Sequence, residues 1–457
     1  MDVLTDEKRK STIGRNGKRF IAGLLGLVLV GVILISFGGG TPDEEKVDLP
    51  ETAGADLPPP DSDSVGTGTD DDSESSDEQS ALYAEKGFLN AKNPPSPLKG
   101  AAGDGITDDT VALQNIIDYC VENSKDLYVP AGTYMIKAGK GVDTPFETRD
   151  GQGLFIEGSM ELYADAGATF KLLPTASPVP TLLTIRNTSD VTVSGGNWIG
   201  ERDEHLDTAG EGGTLIVISC CDYVHISNVV VKDAWGDGMA VYNSPPYKDS
   251  SLSSYIYIDS AYVDRCGRNG LTIGGVKEMY VTNSVFNGMD RTMPKAGVDI
   301  EPDGIQPMAD NVSFYKCTFS NNGVQGLTYG FGNGARNVSV KSCEFFGNGT
   351  VDINIAAVKK TPMKGTVIEN NLFSNTLRFS IGMSNTFNAE ISGNQMYAAT
   401  KNAGSGCFYL AEVSDINITE NYMEGFLCII DNTEIGASEG ITLHKNVYKL
   451  CGSEYLR

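Results

Sequence analysis

Basic charge is short in this sequence: 35 lysines and arginines stand against 60 aspartates and glutamates, for a net charge of −25. A chain this acidic repels a phosphate backbone, which excludes nucleic acid as its main partner. Histidine is scarcer still, at three residues, and the nine cysteines form no CxxC pair, no Cys/His cluster and no zinc spacing, so a structural metal centre is not expected. Nine is an odd number, so at least one thiol stays unpaired even in an oxidising compartment, and burial is the expected state of most of them. Long uncharged apolar runs are absent apart from one near the N-terminus.

That run, residues 20–37 (FIAGLLGLVLVGVILISF), has 18 residues without a charge. At about 1.5 Å per residue it just matches the hydrocarbon thickness of a bilayer. Six basic residues precede it and Asp43, Glu44 and Glu45 follow. The positive-inside rule then makes residues 1–19 a basic cytoplasmic end and residues 20–37 a single-pass signal anchor, with the rest exported; cleavage of the anchor would make the body a secreted protein. Residues 38–86, including TDDDSESSDEQS, are almost devoid of apolar side chains and are expected to be a disordered acidic linker. Residues 87–457 form the body, with a net charge of −15.

From residue 190 the body repeats itself. A leading apolar residue recurs at Val193, Ile226, Ile258, Val281, Phe314, Val340, Ile368, Ile391, Ile418 and Leu443, at spacings of 23 to 33 residues. A loose period of that size marks a solenoid in which each turn buries its apolar face on the next. Short period-2 strands with Gly/Asn corners make it a parallel β-helix rather than an α-solenoid, with ten to thirteen turns. Three residues after the last four leaders stand Asn371, Asn394, Asn421 and Asn446, which form either an inward hydrogen-bonded ladder or a row of exposed turn residues. In the same position Cys317 and Cys343 would stack on adjacent turns, near enough for a disulfide.

The open end of a solenoid needs a cap, and DDTVALQNIIDYCVE (108–122) supplies an amphipathic helix with Leu113, Ile116, Ile117 and Cys120 on one stripe and Asp108 or Asp109 at its N-terminus. GDGITDDTVALQNIIDYC followed by LYVPAGTYMI resembles the N-terminal signature of the pectate-lyase-like superfamily, which includes rhamnogalacturonases, polygalacturonases, pectate lyases, epimerases and phage tailspike depolymerases. GERDEHLDTAGEGG (200–213), AWGDGMAVY (234–242), CGRNGLTI (266–273) and AGVDIEP (296–302) look like motifs of one branch of it. The resemblance implies an all-β fold, a single-stranded right-handed parallel β-helix, and a polysaccharide as partner.

The stretch AGVDIEPDGI (296–305) sets Asp299, Glu301 and Asp303 at every second position of an otherwise apolar strand, so all three point to one face. With the corners Asp237-Gly238, Asn269-Gly270, Ala296-Gly297 and Gln325-Gly326 in register, Asp299 and Glu301 face outward between Thr272 and Gly274 on one side and Thr328 and Gly330 on the other. Such a groove, floored by small residues, lets a polymer lie down. Asp299, Glu301 and Asp237 are the candidate catalytic residues, with Glu301 as acid, Asp299 as base or nucleophile and Asp237 assisting. Cα atoms about 6.6 Å apart suit either a retaining or an inverting glycosidase. The loop 200–213 is expected to wall the groove, with Arg202, Asp203 and His205, together with Arg268 and Asp303, as substrate-binding residues.

Hydrolysis of a polysaccharide without a metal is the favoured reading. A lyase or uronan epimerase would instead use the carboxylates to hold Ca²⁺, with Arg268, Arg202 or Lys295 neutralising the sugar carboxylate. The Tyr-Gly-Phe-Asp-Pro-His-Glu run of mannuronan epimerases is matched only in its first three residues, in TYGFGNG (328–334), and the polygalacturonase Gly-His-Gly is absent. A non-catalytic glycan-binding or surface β-helix is the third reading. Nothing in the sequence demands an oligomer.

Overall fold

The computed structural model describes residues 76–139, 153–208, 210–242, 252–302, 308–330, 334–357, 363–399, 406–431 and 438–456. The apolar run 20–37, residues 38–75 of the linker and Asp303 lie outside the described residues. Among the described residues no helix is long and apolar enough to cross a membrane.

The sequence repeat becomes coils of three strands. One strand of each coil joins a 12-stranded sheet and the other two join a 24-stranded sheet. Neighbours are one coil apart and parallel, as in the succession 214–219, 237–242, 271–273, 296–300 and 325–329. This is a parallel β-helix of twelve coils by its 12-stranded sheet, a rod of about 50 Å at the usual strand spacing. The two strands of the larger sheet meet at a corner whose first residue is left-handed: Asn228, Ser260, Asn283, Lys316, Ser342, Asn370, Glu420 and Lys445 all have φ between 50° and 57°. That bend turns the next side chain inward. Val229, Ala261, Ser284, Cys317, Cys343, Asn371, Asn394 and Asn421 accordingly form one buried column.

Of the two readings of the asparagines, the ladder holds. Asn371 Nδ2 donates to Asn394 Oδ1 at 2.9 Å, Asn394 Nδ2 to Asn421 Oδ1 at 2.9 Å, and Asn421 Nδ2 to Asn446 Oδ1 at 3.1 Å. Each Oδ1 also accepts the backbone N–H of the previous rung. Two residues further on, Phe286, Phe319, Phe345 and Phe373 stack along the axis at 5.6, 4.6 and 4.9 Å. Replacing Asn394 with leucine keeps the branching of the side chain but strands the amide groups of Asn371 and the Ile368 carbonyl that Asn394 serves. A loss of about 2 to 3 kcal/mol is expected, read as a lower urea midpoint; an unchanged midpoint would mean the ladder is idle. Cys317 and Cys343 do stack, the Cys317 N–H donating to Cys343 Sγ at 3.4 Å, but both are free thiols, as are all nine cysteines.

Helix α2, Thr110–Glu122, lies over the open end with Leu113, Ile116, Ile117 and Cys120 buried. Asp109 stands at its N-cap, yet Asp108 makes the capping bonds, accepting from the Thr110 N–H at 3.1 Å and hydroxyl at 2.6 Å. Asp109 instead accepts the N–H groups of Ala102 and Gly103. The Gln114 amide bonds both ways to the Phe155 backbone, closing the strand Leu154–Ile156 at the edge of the 12-stranded sheet. The ordered body begins ahead of residue 87. A helix, α1 (Ser76–Glu85), stacks Tyr83 on Tyr128 at 5.0 Å and on Tyr163 at 4.1 Å, and these rings supply the apolar anchor that composition alone does not suggest.

Candidate active site

Strand Ala296–Ile300 lies within the 12-stranded sheet. Val298 and Ile300 stack inward on Leu271 and Ile273 of the coil before and on Leu327 and Tyr329 of the coil after. Asp299 therefore falls in the outward row, between Thr272 and Thr328, with Ala240 and Asn354 one coil further each way. Glu301 follows two residues on. The register expected from the glycine corners is the observed one, and its cause is steric: a Cβ at Gly270 or Gly297 would come within 2.5 or 2.6 Å of the next coil's carbonyl oxygen.

Asp237, Arg268, Asp299 and Glu301 come together on this face. Arg268 spans the cluster, with Nη1 3.2 Å from Asp237 Oδ2 and Nη2 3.3 Å from Glu301 Oε2. Asp237 also accepts from the Thr272 hydroxyl at 2.8 Å and from the Asn269 N–H at 3.1 Å. Asn269 Nδ2 bridges Thr272 Oγ1 at 3.0 Å and Asp299 Oδ2 at 3.4 Å. Among the described residues no hydrogen-bond partner meets the buried Asp299 Oδ1. Burial, and then the negative charge of Glu301, push the Asp299 carboxyl well above the usual carboxylate range, against the opposing pull of Arg268.

The two carboxyls differ in their surroundings. Asp299 is 2 % exposed, whereas the Glu301 side chain is 31 % exposed and ion-paired. Asp299 is the more deeply desolvated of the two, and burial favours its neutral form.

The wall loop is put together differently from the expectation. Arg202 pairs with Asp290 and donates to the Arg265 carbonyl, and Asp203 pairs with Arg265, which also holds Asp233. None of these partners belongs to the Asp299 cluster, so Arg202 and Asp203 fasten the loop to neighbouring coils. The His205 side chain is buried, while the residue as a whole is half-buried. Its Nδ1 lies 2.9 Å from Glu201 Oε2, and its ring stacks on Trp235 at 3.8 Å. Burial raises the Glu201 carboxyl, partly offset by the hydrogen bond to His205. Sequence reasoning passed over Glu201, Trp235, Asn269 and Arg291; the one signal for Trp235 was its place two residues before Asp237 in a chain with two tryptophans. Among the described residues no set of three His, Cys, Asp or Glu side chains is arranged to hold a metal ion.

Residues 99–142 match the family described as rhamnogalacturonase A/epimerase, pectate lyase-like, and residues 185–360 match the right-handed β-helix region. The uncharacterized protein YclG of Bacillus subtilis is 28% identical over 350 residues, covering 73% of this chain and 55% of its own length. The prophage-derived uncharacterized protein YorA of the same organism is 26% identical over 42% of this chain and 35% of its own. The chain thus spans about half the length, or less, of these relatives. Among solved structures, the A-module of the Azotobacter vinelandii mannuronan C-5 epimerase AlgE4 aligns with a TM-score of 0.56 at 16% identity, covering 80% of this chain and 96% of that one. The Streptococcus pneumoniae surface adhesin PfbA aligns with a TM-score of 0.55 at 16% identity, over 80% and 91%. A tailspike of E. coli bacteriophage HK620, solved with a pentasaccharide, aligns with a TM-score of 0.58 at 12% identity, over 80% and 67%. The chain is a parallel β-helix, alike in fold to these structures, and its capped end is similar to the rhamnogalacturonase A/epimerase, pectate lyase-like family.

Proposed function

We propose that the protein is an extracytoplasmic carbohydrate-active enzyme that hydrolyses a polysaccharide laid along the outward face of the 12-stranded sheet. The observation that carries this reading is the unlike setting of two carboxyls two residues apart, a buried Asp299 whose Oδ1 meets no hydrogen-bond partner among the described residues and a more exposed Glu301 paired with Arg268. Asp299 gives its proton to the glycosidic oxygen as the C–O bond breaks and the bonding pair leaves with that oxygen. Glu301 either takes a proton from the water that attacks the anomeric carbon or attacks that carbon itself. Asp237 holds Arg268 and Thr272 in place and is a positioning residue. The reading needs no metal. Export by the apolar run 20–37 would place the groove where such polymers occur.

The test is the full chain on a panel of neutral and uronic polysaccharides, with Ca²⁺ and then with chelator. A mannuronan epimerase and a glycan-bound tailspike share the fold, so both sugar classes belong on the panel. New reducing ends without the ultraviolet absorbance of unsaturated sugars, indifferent to chelator, are expected. Absorbance that depends on Ca²⁺ would transfer the site to a lyase, and no product from any polymer would leave a glycan binder.

A further inference from the structure

Three buried polar atoms that have no hydrogen-bond partner among the described residues meet in one corner of the fold: Glu201 Oε1, His205 Nε2 and the Trp235 indole N–H. They belong to one contact chain, since His205 Nδ1 bonds Glu201 and its ring covers Trp235. Every buried polar atom left unpaired carries an uncompensated desolvation cost, so this arrangement is a poor resting place for three such groups. Asp299 Oδ1 is another such atom among the described residues.

The two faces of Trp235 are held unequally. On one, the Arg291 guanidinium carbon lies 3.6 Å from the ring centroid, and both Nε and Nη2 of that arginine donate to the Trp235 carbonyl, at 3.2 and 2.6 Å. Arg291 reaches it across Gly267, where a Cβ would stand 2.9 Å from its Nε. The other face is covered by His205, since two groups this close to the ring cannot share a side. His205 rides on residues 201–208, a segment between Gly200 and Gly210 whose Leu206 side chain is 68 % exposed. Only Gly236 separates Trp235 from Asp237 in the chain, and the Gly236 carbonyl accepts the Arg268 N–H, so the two clusters share one stretch of backbone.

We propose that His205 and the exposed residues 206–208 after it are a strap over a sugar platform, hinged where Arg202 and Asp203 fasten the loop: His205 lifts away, a pyranose ring of the polymer stacks on the freed face of Trp235, and its hydroxyls pair with the indole N–H, His205 Nε2 and Glu201 Oε1. Arg291 keeps the indole fixed while this happens. The inference rests on the groove as a glycan site and is independent of hydrolysis.

Trp198, the other tryptophan, is wholly buried, so changes in quenching report Trp235. In the full chain, His205→Ala is expected to increase acrylamide quenching of tryptophan fluorescence. In the Asp299→Asn background, hexasaccharides of β-1,4-glucan, chitin and galacturonan are titrated while fluorescence is followed. At least one is expected to shift the Trp235 emission, and His205→Ala to tighten its binding about three- to tenfold by removing the closed state. Trp235→Ala, or Trp235→Phe should the first not fold, is read by calorimetry, and the alanine variant is expected to bind about tenfold more weakly. Unchanged quenching in His205→Ala overturns the strap, and quenching that rises while no hexasaccharide binds overturns the platform. Turnover of a polymer without any Trp235 response would sink this inference and spare the hydrolase, whereas a response without turnover does the reverse.

Discussion

Replacing Asp299 with asparagine is expected to slow glycan cleavage about a thousandfold while the protein stays folded, the loss typical of a missing general acid. The amide keeps the shape of the side chain and can still meet Asn269, but it has no proton to give. Glu301→Gln is expected to cost about as much, because an acid without a base completes only half the displacement, and the double variant should be little worse than either single one. An equal loss from both singles with near-full additivity in the double would mean that the carboxyls act separately.

The pH profile separates the two roles. Burial and the Glu301 charge raise the Asp299 carboxyl, so it holds its proton above the pH at which an ordinary aspartate releases one. Activity should then fall on the alkaline side as pH rises through that value, and Asp299→Asn should flatten this limb. Rates of reducing-end release between about pH 4 and about pH 9 decide it. A wild-type alkaline limb that survives in Asp299→Asn would assign the acid to another group.

The strand face that carries the site could be read from alternation alone, since a period of two leaves Asp299 and Glu301 no choice once Val298 and Ile300 are inside. The partner rows could be read as well, because glycines at successive corners mark where each coil's backbone crowds the next. Depth was hidden. How far Asp299 and Glu301 are desolvated and paired depends on Arg268 and Asn269, which arrive from another coil. The charges of the loop 200–213 looked like a substrate wall because their partners, Arg265 and Asp290, lie about two or three coils away along the chain. The tripeptide Val-Asp-Ile occurs twice, at 298–300 and at 351–353, with opposite outcomes. Asp299 sits in the outward row with Thr328 and Asn354, while Asp352 takes the corner position that glycine fills at 270, 297 and 326.

That second aspartate carries the largest stability effect. Asp352 is buried, accepting from Asn348 Nδ2 at 2.9 Å and from the Thr376 hydroxyl at 2.8 Å, and no cation is among these partners. Burial raises its carboxyl from 3.8 to about 7, against the pull of those two hydrogen bonds. The native state therefore keeps a proton that the unfolded chain has already released, and stability falls as pH rises from the ordinary value toward about 7, then levels. At about 1.4 kcal/mol per pH unit the accumulated loss is at most about 4 kcal/mol. Asparagine removes it and keeps the bonds: its oxygen accepts from Asn348, its NH₂ donates to Thr376 Oγ1, and that hydroxyl turns to Ser380, 3.0 Å away. Asp352→Asn should match the wild type near pH 4 and exceed it by up to about 4 kcal/mol above pH 7, in urea unfolding followed at both pH values. Asp299 contributes a slope of the same sign to both proteins and cancels in the comparison. A difference that does not change with pH would mean that Asp352 keeps one protonation state throughout, and a variant weaker at both values would mean that the corner requires a carboxyl for its hydrogen bonds.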